Sequence, residues 1–275
     1  ASLFGELEES ASIATDAKEI SFGKDIYNTE HQYHLIETEE QIEKLLKKIL
    51  AADKVCFDTE TTSLDANNCA LVGMSFSVLP HEAYYVPVPS DAIEAHQLVQ
   101  CFKPFFENKK IIKIGQNIKY DQLVLKWYGI EVQGTLFDTM LAHYLMDADS
   151  RHNMNALAEN YLGYTPVSIT ELIGKKGPSQ KNMRDVPLEQ IKEYAAEDAD
   201  VTLQLYQKFN KEIENTHLHK LFYDEETPLI PVLTDMEYEG VKIDTDFLKN
   251  YSNEIADEII VLKDEILNTC GAQFN

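Results

Sequence analysis

Five residues in three short clusters suit chemistry in this 275-residue chain: Asp58 and Glu60 in Val55-Cys56-Phe57-Asp58-Thr59-Glu60-Thr61-Thr62, Asp121 in Asn117-Ile118-Lys119-Tyr120-Asp121, and Tyr194 with Asp198 in Tyr194-Ala195-Ala196-Glu197-Asp198. On a strand, positions i and i+2 share a face, as do i and i+4 on a helix, so each pair can aim one way. Hydrolysing a phosphodiester near neutral pH needs a hydroxide and relief of charge on the attacking and leaving oxygens, which two divalent ions about 4 Å apart supply. Hard cations take oxygen ligands, so carboxylates are the required residue type. In this reading Asp58 bridges the ions, Glu60 and Asp198 complete the first site and Asp121 serves the second through water. Tyr194, one helical turn before Asp198, orients the attacking water. Singly, each cluster has a blander reading: an exposed strand pair, a helix start with an acidic first turn, a half-buried aromatic. Together, at the ends of core elements in one segment, they favour the metal site.

The surrounding pattern supplies such elements. Tyr33-His34-Leu35-Ile36 reads as a short strand, and Thr38-Glu39-Glu40-Gln41 opens a helix with a capping box before Ile42, Leu45, Leu46 and Ile49. Strands are expected over Val55 to Glu60, Ala70 to Val78 and Ala83 to Val88, with turns at Asn67-Asn68 and Pro80-His81, giving a three-stranded antiparallel start. A helix follows from Ile93 to Glu107, then a buried strand at Ile111 to Gly115, and the rest to Phe209 reads as mainly helical. The fold class expected is α/β, a mixed central sheet flanked by helices. The 29–215 segment forms this domain, while 1–28, acidic and Ser/Ala-rich, reads as a linker or irregular extension. From 216 to 275 come a helix through Met236, a turn and short strand at Gly240 to Asp244, and an amphipathic helix from Thr245 to Cys270. These elements are too few to bury a core of their own and read as the truncated start of a further domain.

A net charge of −23 argues against a nucleic-acid surface, since affinity there rests on neutralising phosphates. The acid, however, concentrates toward the two ends. Lys109, Lys110, Lys113 and Lys119 precede Asp121, and Arg151, Lys175, Lys176, Lys181 and Arg184 lie between it and Asp198, including both arginines of the chain. Some of these are expected to hold a strand's backbone. No apolar run approaches the ~20 residues that span a bilayer and no signal-peptide pattern opens the chain, so a soluble, cytoplasmic protein without a membrane partner is expected. The four scattered cysteines suggest neither zinc site nor disulfide framework.

Phe57-Asp58-Thr59-Glu60-Thr61, Gly115-Gln116-Asn117-Ile118-Lys119-Tyr120-Asp121 and Tyr194-Ala195-Ala196-Glu197-Asp198-Ala199-Asp200-Val201-Thr202 resemble the three exonuclease motifs of the proofreading domain of bacterial DNA polymerase I, the Tyr-containing branch of the DEDD exonucleases. Phe137-Asp138-Thr139, Arg151-His152-Asn153-Met154 and the Thr227 to Asp244 stretch resemble that family too, the last its polymerase region. The resemblance implies an RNase H-like fold followed by a helical start of the polymerase domain. It also implies a 3′ to 5′ exonuclease acting on single-stranded or frayed DNA ends and releasing nucleoside monophosphates. Metal binding falls to Asp58, Glu60, Asp121 and Asp198 for two divalent cations, Mg²⁺ first and Mn²⁺ or Zn²⁺ as alternatives. Tyr194, with help from Glu60, positions water. Leu64 matches the position that wedges against the terminal base, and Gln116, Asn117 and Arg151 match positions near the bound strand. Ile169 departs from relatives that carry an aromatic there. The polymerase domain is the implied partner in cis, and without a palm region the chain is not expected to polymerise. An RNA-trimming exonuclease of the same superfamily, or a weakly cleaving strand-binding scaffold, are the competing readings.

Overall fold

The structure is a computed structural model that describes residues 23–271. Six strands form one mixed sheet: β1 (Gln32–Leu35), β2 (Lys54–Thr61), β3 (Leu71–Leu79), β4 (Glu82–Pro87), β5 (Ile112–Gly115) and β6 (Leu136–Asp138), in the order β1-β4-β3-β2-β5-β6. β2, β3 and β4 are antiparallel, as expected, whereas β1 joins β4, and β5 and β6 extend the sheet beyond β2, in parallel. Between them run α1 (Glu39–Leu50), α2 (Ala92–Cys101), α3 (Lys103–Phe106), α4 (Ile118–Trp127), α5 (Thr139–Met146), α6 (Met154–Leu162), α7 (Ile169–Ile173) and α8 (Leu188–Glu214). A single 3₁₀ turn, Met183–Asp185, precedes α8.

Local signals set the helix ends. Thr38 and Gln41 form the capping box of α1, with Glu39 and Glu40 at its positive end and Lys47 and Lys48 at its negative end. Two expectations within residues 32–214 are corrected. The helix expected over Ile93 to Glu107 breaks at Phe102, the end of α2 and the start of α3, where Pro104 sits in the first turn and has no N–H for a continuous ladder. Leu136–Asp138, in the stretch read as mainly helical, is the outer strand β6, three buried residues too short to show an alternation.

Strand alternation sorts the core into two layers. Val55 and Phe57 of β2 face α1 to α4 and meet Phe76, Phe102, Phe105 and Phe106; Phe57 and Phe106 pack edge to face at 5.1 Å. Cys56, Asp58 and Glu60 point the other way, toward α8, and below the carboxylates Cys56 joins Ile114, Phe137, Leu203 and Phe209. Each such buried ring or Leu contributes about 1.5–3 kcal/mol over an exposed one. α8 is 27 residues long and spans about 40 Å, enough to lie across the sheet from β1 to β5. Gly73 on β3 lets that face close, because a Cβ there would overlap the buried Tyr85 ring.

After α8 come α9 (Leu218–Lys220), a π turn at Leu221–Glu226, α10 (Thr227–Glu239) and α11 (Thr245–Cys270). α10 packs on α4: Thr234 donates to Gln122 at 3.3 Å, Lys126 pairs with Asp235 at 2.6 Å, Lys119 pairs with Glu237, and the Trp127 and Tyr238 rings lie 4.5 Å apart. The chain divides into two compact units, one ending at Tyr238 and a second beginning at Glu239. Within the second unit, Asp244 caps α11, whose apolar row Leu248, Tyr251, Ile255, Ile259, Leu262 and Ile266 is largely exposed. The strand expected at Gly240 to Asp244 is not formed: Gly240 adopts φ +66 and ends α10, and the following residues pair with no strand. No helix among the described residues is long and apolar enough to cross a membrane.

Candidate active site

The carboxylates gather over the far end of β2, where α8 crosses it. Asp58 and Glu60 project from one face of the strand, and Asp198 descends from α8, so that one ligand oxygen from each lies within 4.8 Å of the others. Tyr194, one turn earlier on α8, stands beside them. Burial first, and then the charges of Asp198, Glu60 and Asp58, hold its hydroxyl well above the usual phenol range, so it keeps its proton. Asp121 arrives from the opposite layer, on the first turn of α4, and lies outside the three-carboxylate set. The Thr59 hydroxyl, on the other face of β2, donates to Asp121 Oδ1 at 2.5 Å and ties the two layers together at this edge.

Burial dominates the electrostatics. It raises Asp58 to about 7 and pushes Glu60, Asp121 and Asp198 well above the carboxylate range, with Asp58 adding like charge to each of the three. Among the described residues none of the four carboxylates has an ion pair. Asp198 Oδ1 is buried with no hydrogen-bond partner. Four desolvated carboxylates without a cation, one of them with an orphaned oxygen, form an all-oxygen donor set that fits a hard divalent metal.

The family model for the 3′-5′ exonuclease of type A DNA polymerases matches residues 33–214. The chain belongs to this exonuclease family. It is 35% identical to DNA polymerase I of Pseudomonas aeruginosa over 256 residues, covering 90% of this chain and 28% of that protein. The chain spans about a quarter of the length of the curated relatives it matches. Two solved structures share the fold: the polymerase domain of Pol1 from M. smegmatis in complex with DNA primer-template and dNTP (TM-score 0.68, 18% identity, 88% of this chain and 38% of that one), and Brucella melitensis NrnC (TM-score 0.60, 20% identity, 76% and 93%).

Around the exonuclease carboxylates the remaining candidates are placed unevenly. Leu64 is 90% exposed on the loop after β2, at the mouth of a cleft of about 660 Å³ that Thr61, Tyr120, Ile169 and Lys181 also line. Tyr120 fixes that loop by donating to Ser63 O at 2.6 Å and pairing with the Thr61 hydroxyl. Gln116 is half-buried at the end of β5, donating to His152 O at 2.7 Å and accepting from the Thr139 hydroxyl. Asn117 adopts φ +60 at the start of α4, a left-handed turn that Asn tolerates better than most residues. Arg151 is exposed, and no hydrogen bond or ion pair of its guanidinium is found among the described residues.

Several basic residues expected near a strand are otherwise engaged. Arg184 donates to Val88 O at 3.1 Å and Leu71 O at 2.7 Å, Lys113 is fully buried on the carbonyls of Asn108 and Gln133, and Lys119 holds Glu237. Sequence reasoning also gave no role of their own to Thr59 and Asp138, though both lie in stretches that resemble the family. Asp138 accepts from the N–H groups of Asn117, Ile118, Met140 and Leu141 at 2.8–3.2 Å, capping α5 while fixing the start of α4 and hence Asp121. An Asp directly before a helical run was a readable cap signal for α5; its reach to α4 was not.

Proposed function

We propose that this domain removes nucleoside monophosphates one at a time from the 3′ end of DNA, with Asp58, Glu60, Asp121 and Asp198 holding two divalent cations, Mg²⁺ first among them. The observation that carries this is the convergence of Asp58, Glu60 and Asp198 within 4.8 Å, with one Asp198 oxygen buried and without a hydrogen-bond partner. When bound, such ions supply a hydroxide at neutral pH and stabilise charge on the attacking and leaving oxygens. Asp58, Glu60 and Asp198 would hold one ion, and Asp121, held by Thr59, would serve the second together with Asp58.

The Tyr194 hydroxyl keeps its proton beside the cluster and can hold the attacking water in line. Water oxygen bonds to phosphorus as the bond to the preceding nucleotide's 3′ oxygen breaks. The water gives up a proton, and the departing 3′ oxygen takes one up. Leu64, at the cleft mouth, would meet the terminal base, and the exposed Arg151, with Gln116 and Asn117, would contact the strand. Ile169 lines the same cleft and offers an aliphatic surface in place of a stacking ring. In the parent protein a polymerase domain beginning near residue 216 delivers the end; the exposed rows of α10 and α11 suit the start of such a domain.

A 5′-labelled DNA single strand should shorten in single-nucleotide steps and release nucleoside monophosphates faster than an RNA strand of the same sequence. Preference for RNA would replace DNA proofreading by RNA trimming. Shortening from the 5′ side only would overturn the proposal.

A further inference from the structure

Away from the carboxylates, a buried histidine pairs with a half-buried one, and the mechanism above uses neither. His143 of α5 is 2% exposed, and both of its ring nitrogens are engaged: Nδ1 lies 2.7 Å from His152 Nδ1 and Nε2 lies 3.0 Å from the Tyr161 hydroxyl. Only one proton fits between two Nδ1 atoms at that distance, so one imidazole donates and the other accepts. Either assignment also satisfies Tyr161, which accepts when Nε2 carries the proton and donates when it does not. The rings are packed from several sides: Phe209 of α8 lies 5.6 Å from His143, and Tyr144 lies edge-on to His152 at 5.3 Å.

The pair's location gives it a consequence for binding. His152 follows Arg151 directly, in the irregular segment between α5 and α6, and its carbonyl receives Gln116 Nε2 at 2.7 Å. Gln116 is held in turn by Thr139, whose hydroxyl also reaches Gly115 O at 3.1 Å. A continuous chain therefore runs from Tyr161 through His143 and His152 to the backbone that carries Arg151 and to the Gln116 amide. Arg151 itself is exposed. The segment has no strand or helix ladder over Arg151 and His152 to fix it, so two tertiary hydrogen bonds hold that point: Gln116 on the His152 carbonyl and His143 on the His152 ring.

We propose that His143 is a positioning residue for the bound strand: through its Nδ1 bond to His152 it sets the Arg151 segment and Gln116, and so governs strand affinity rather than the cleavage step. The inference rests on the assignment of Arg151 and Gln116 to strand binding. The two ring contacts can be separated chemically. In His143→Asn an amide atom occupies the Nδ1 position and can retain His152, while in His143→Gln it occupies the Nε2 position and can retain Tyr161 alone.

The test is steady-state degradation of a DNA single strand with Mg²⁺ by the 275-residue chain and its His143→Leu, His143→Asn, His143→Gln and Arg151→Ala variants, with thermal melts of each. His143→Leu and His143→Gln should raise KM about tenfold, with kcat within about twofold, since loss of placement alone is worth factors of this order. His143→Asn should stay within about threefold of the parent. In an Arg151→Ala background, His143→Leu should add less than about twofold, because its effect passes through the segment already disabled. Should His143→Leu fail to fold, the Asn and Gln variants carry the comparison. Equal KM for the Asn and Gln variants, a loss confined to kcat, or full multiplication of the His143 and Arg151 effects overturns the proposal. An Arg151→Ala variant with unchanged KM overturns the strand-binding assignment beneath it.

Discussion

Removing a charge from the carboxylate cluster should stabilise this protein when metal is absent. Burial raises Asp58 to about 7, against about 3.9 for an unfolded Asp, so between those values the folded state binds more protons than the unfolded one. Stability contributed by Asp58 is therefore fully present below pH ~4 and is lost as pH rises toward 7. At 1.36 kcal/mol per unit over about three units the loss is about 4 kcal/mol, and since Asp58 is only half-buried, about 2–4 kcal/mol is the working figure. Asp58→Asn abolishes that loss and removes the like charge that Asp58 presses on Glu60, Asp121 and Asp198. In EDTA at pH 8 the variant should melt above the parent by on the order of 10 °C, at ~2–4 °C per kcal/mol for a domain of this size. At pH 4 the difference should vanish. With saturating Mg²⁺ at pH 8 the order should reverse, because the ions stabilise the parent and bind the variant poorly. Calorimetry at the two pH values, with and without metal, gives all three comparisons. A variant in EDTA no more stable than the parent at pH 8, or equally stabilised at pH 4 and pH 8, would refute the claim that the cluster is a metal-compensated strain.

Three further substitutions separate architecture from binding. Gly73→Ala should destabilise by about 2–3 kcal/mol or more in a denaturant melt, because the added Cβ overlaps the fully buried Tyr85 ring and neither side can retreat. Arg184→Ala should cost about 2–3 kcal/mol of stability by freeing the Leu71 and Val88 carbonyls while leaving the KM for a DNA strand within about twofold, a split read by melts and kinetics together. Leu64→Ala should leave stability within about 0.5 kcal/mol, given its 90% exposure, and should weaken binding of a 3′ end in a fluorescence titration.

What could be read from the chain was what short-range periodicity encodes. The i, i+2 spacing of Asp58 and Glu60 and the i, i+4 spacing of Tyr194 and Asp198 survive unchanged because β2 and α8 are long, regular and buried on the faces those spacings require. The capping box at Thr38 was likewise legible, since its partners lie three residues apart. Features set at long range were hidden. Thr59 reaches Asp121 across 62 positions, and Asp138 reaches Asn117 and Ile118 across 21 and 20. Charge was least legible of all: Lys113, Lys119 and Arg184 looked available for phosphates, and each is held by a partner that only folding brings near. β6 escaped because three residues carry no period, and a strand was wrongly expected after Gly240 because a short apolar alternation does not guarantee a neighbour to pair with.

The most direct test of the central claim is release of mononucleotides from a uniformly labelled DNA single strand with Mg²⁺ or Mn²⁺, set beside EDTA and an Asp58→Ala, Glu60→Ala double variant. Stepwise release of label that requires both metal and the two carboxylates is the predicted result. Release that persists in EDTA or in the double variant, or none at all at low salt and high enzyme, would contradict a metal-dependent exonuclease built on these four carboxylates.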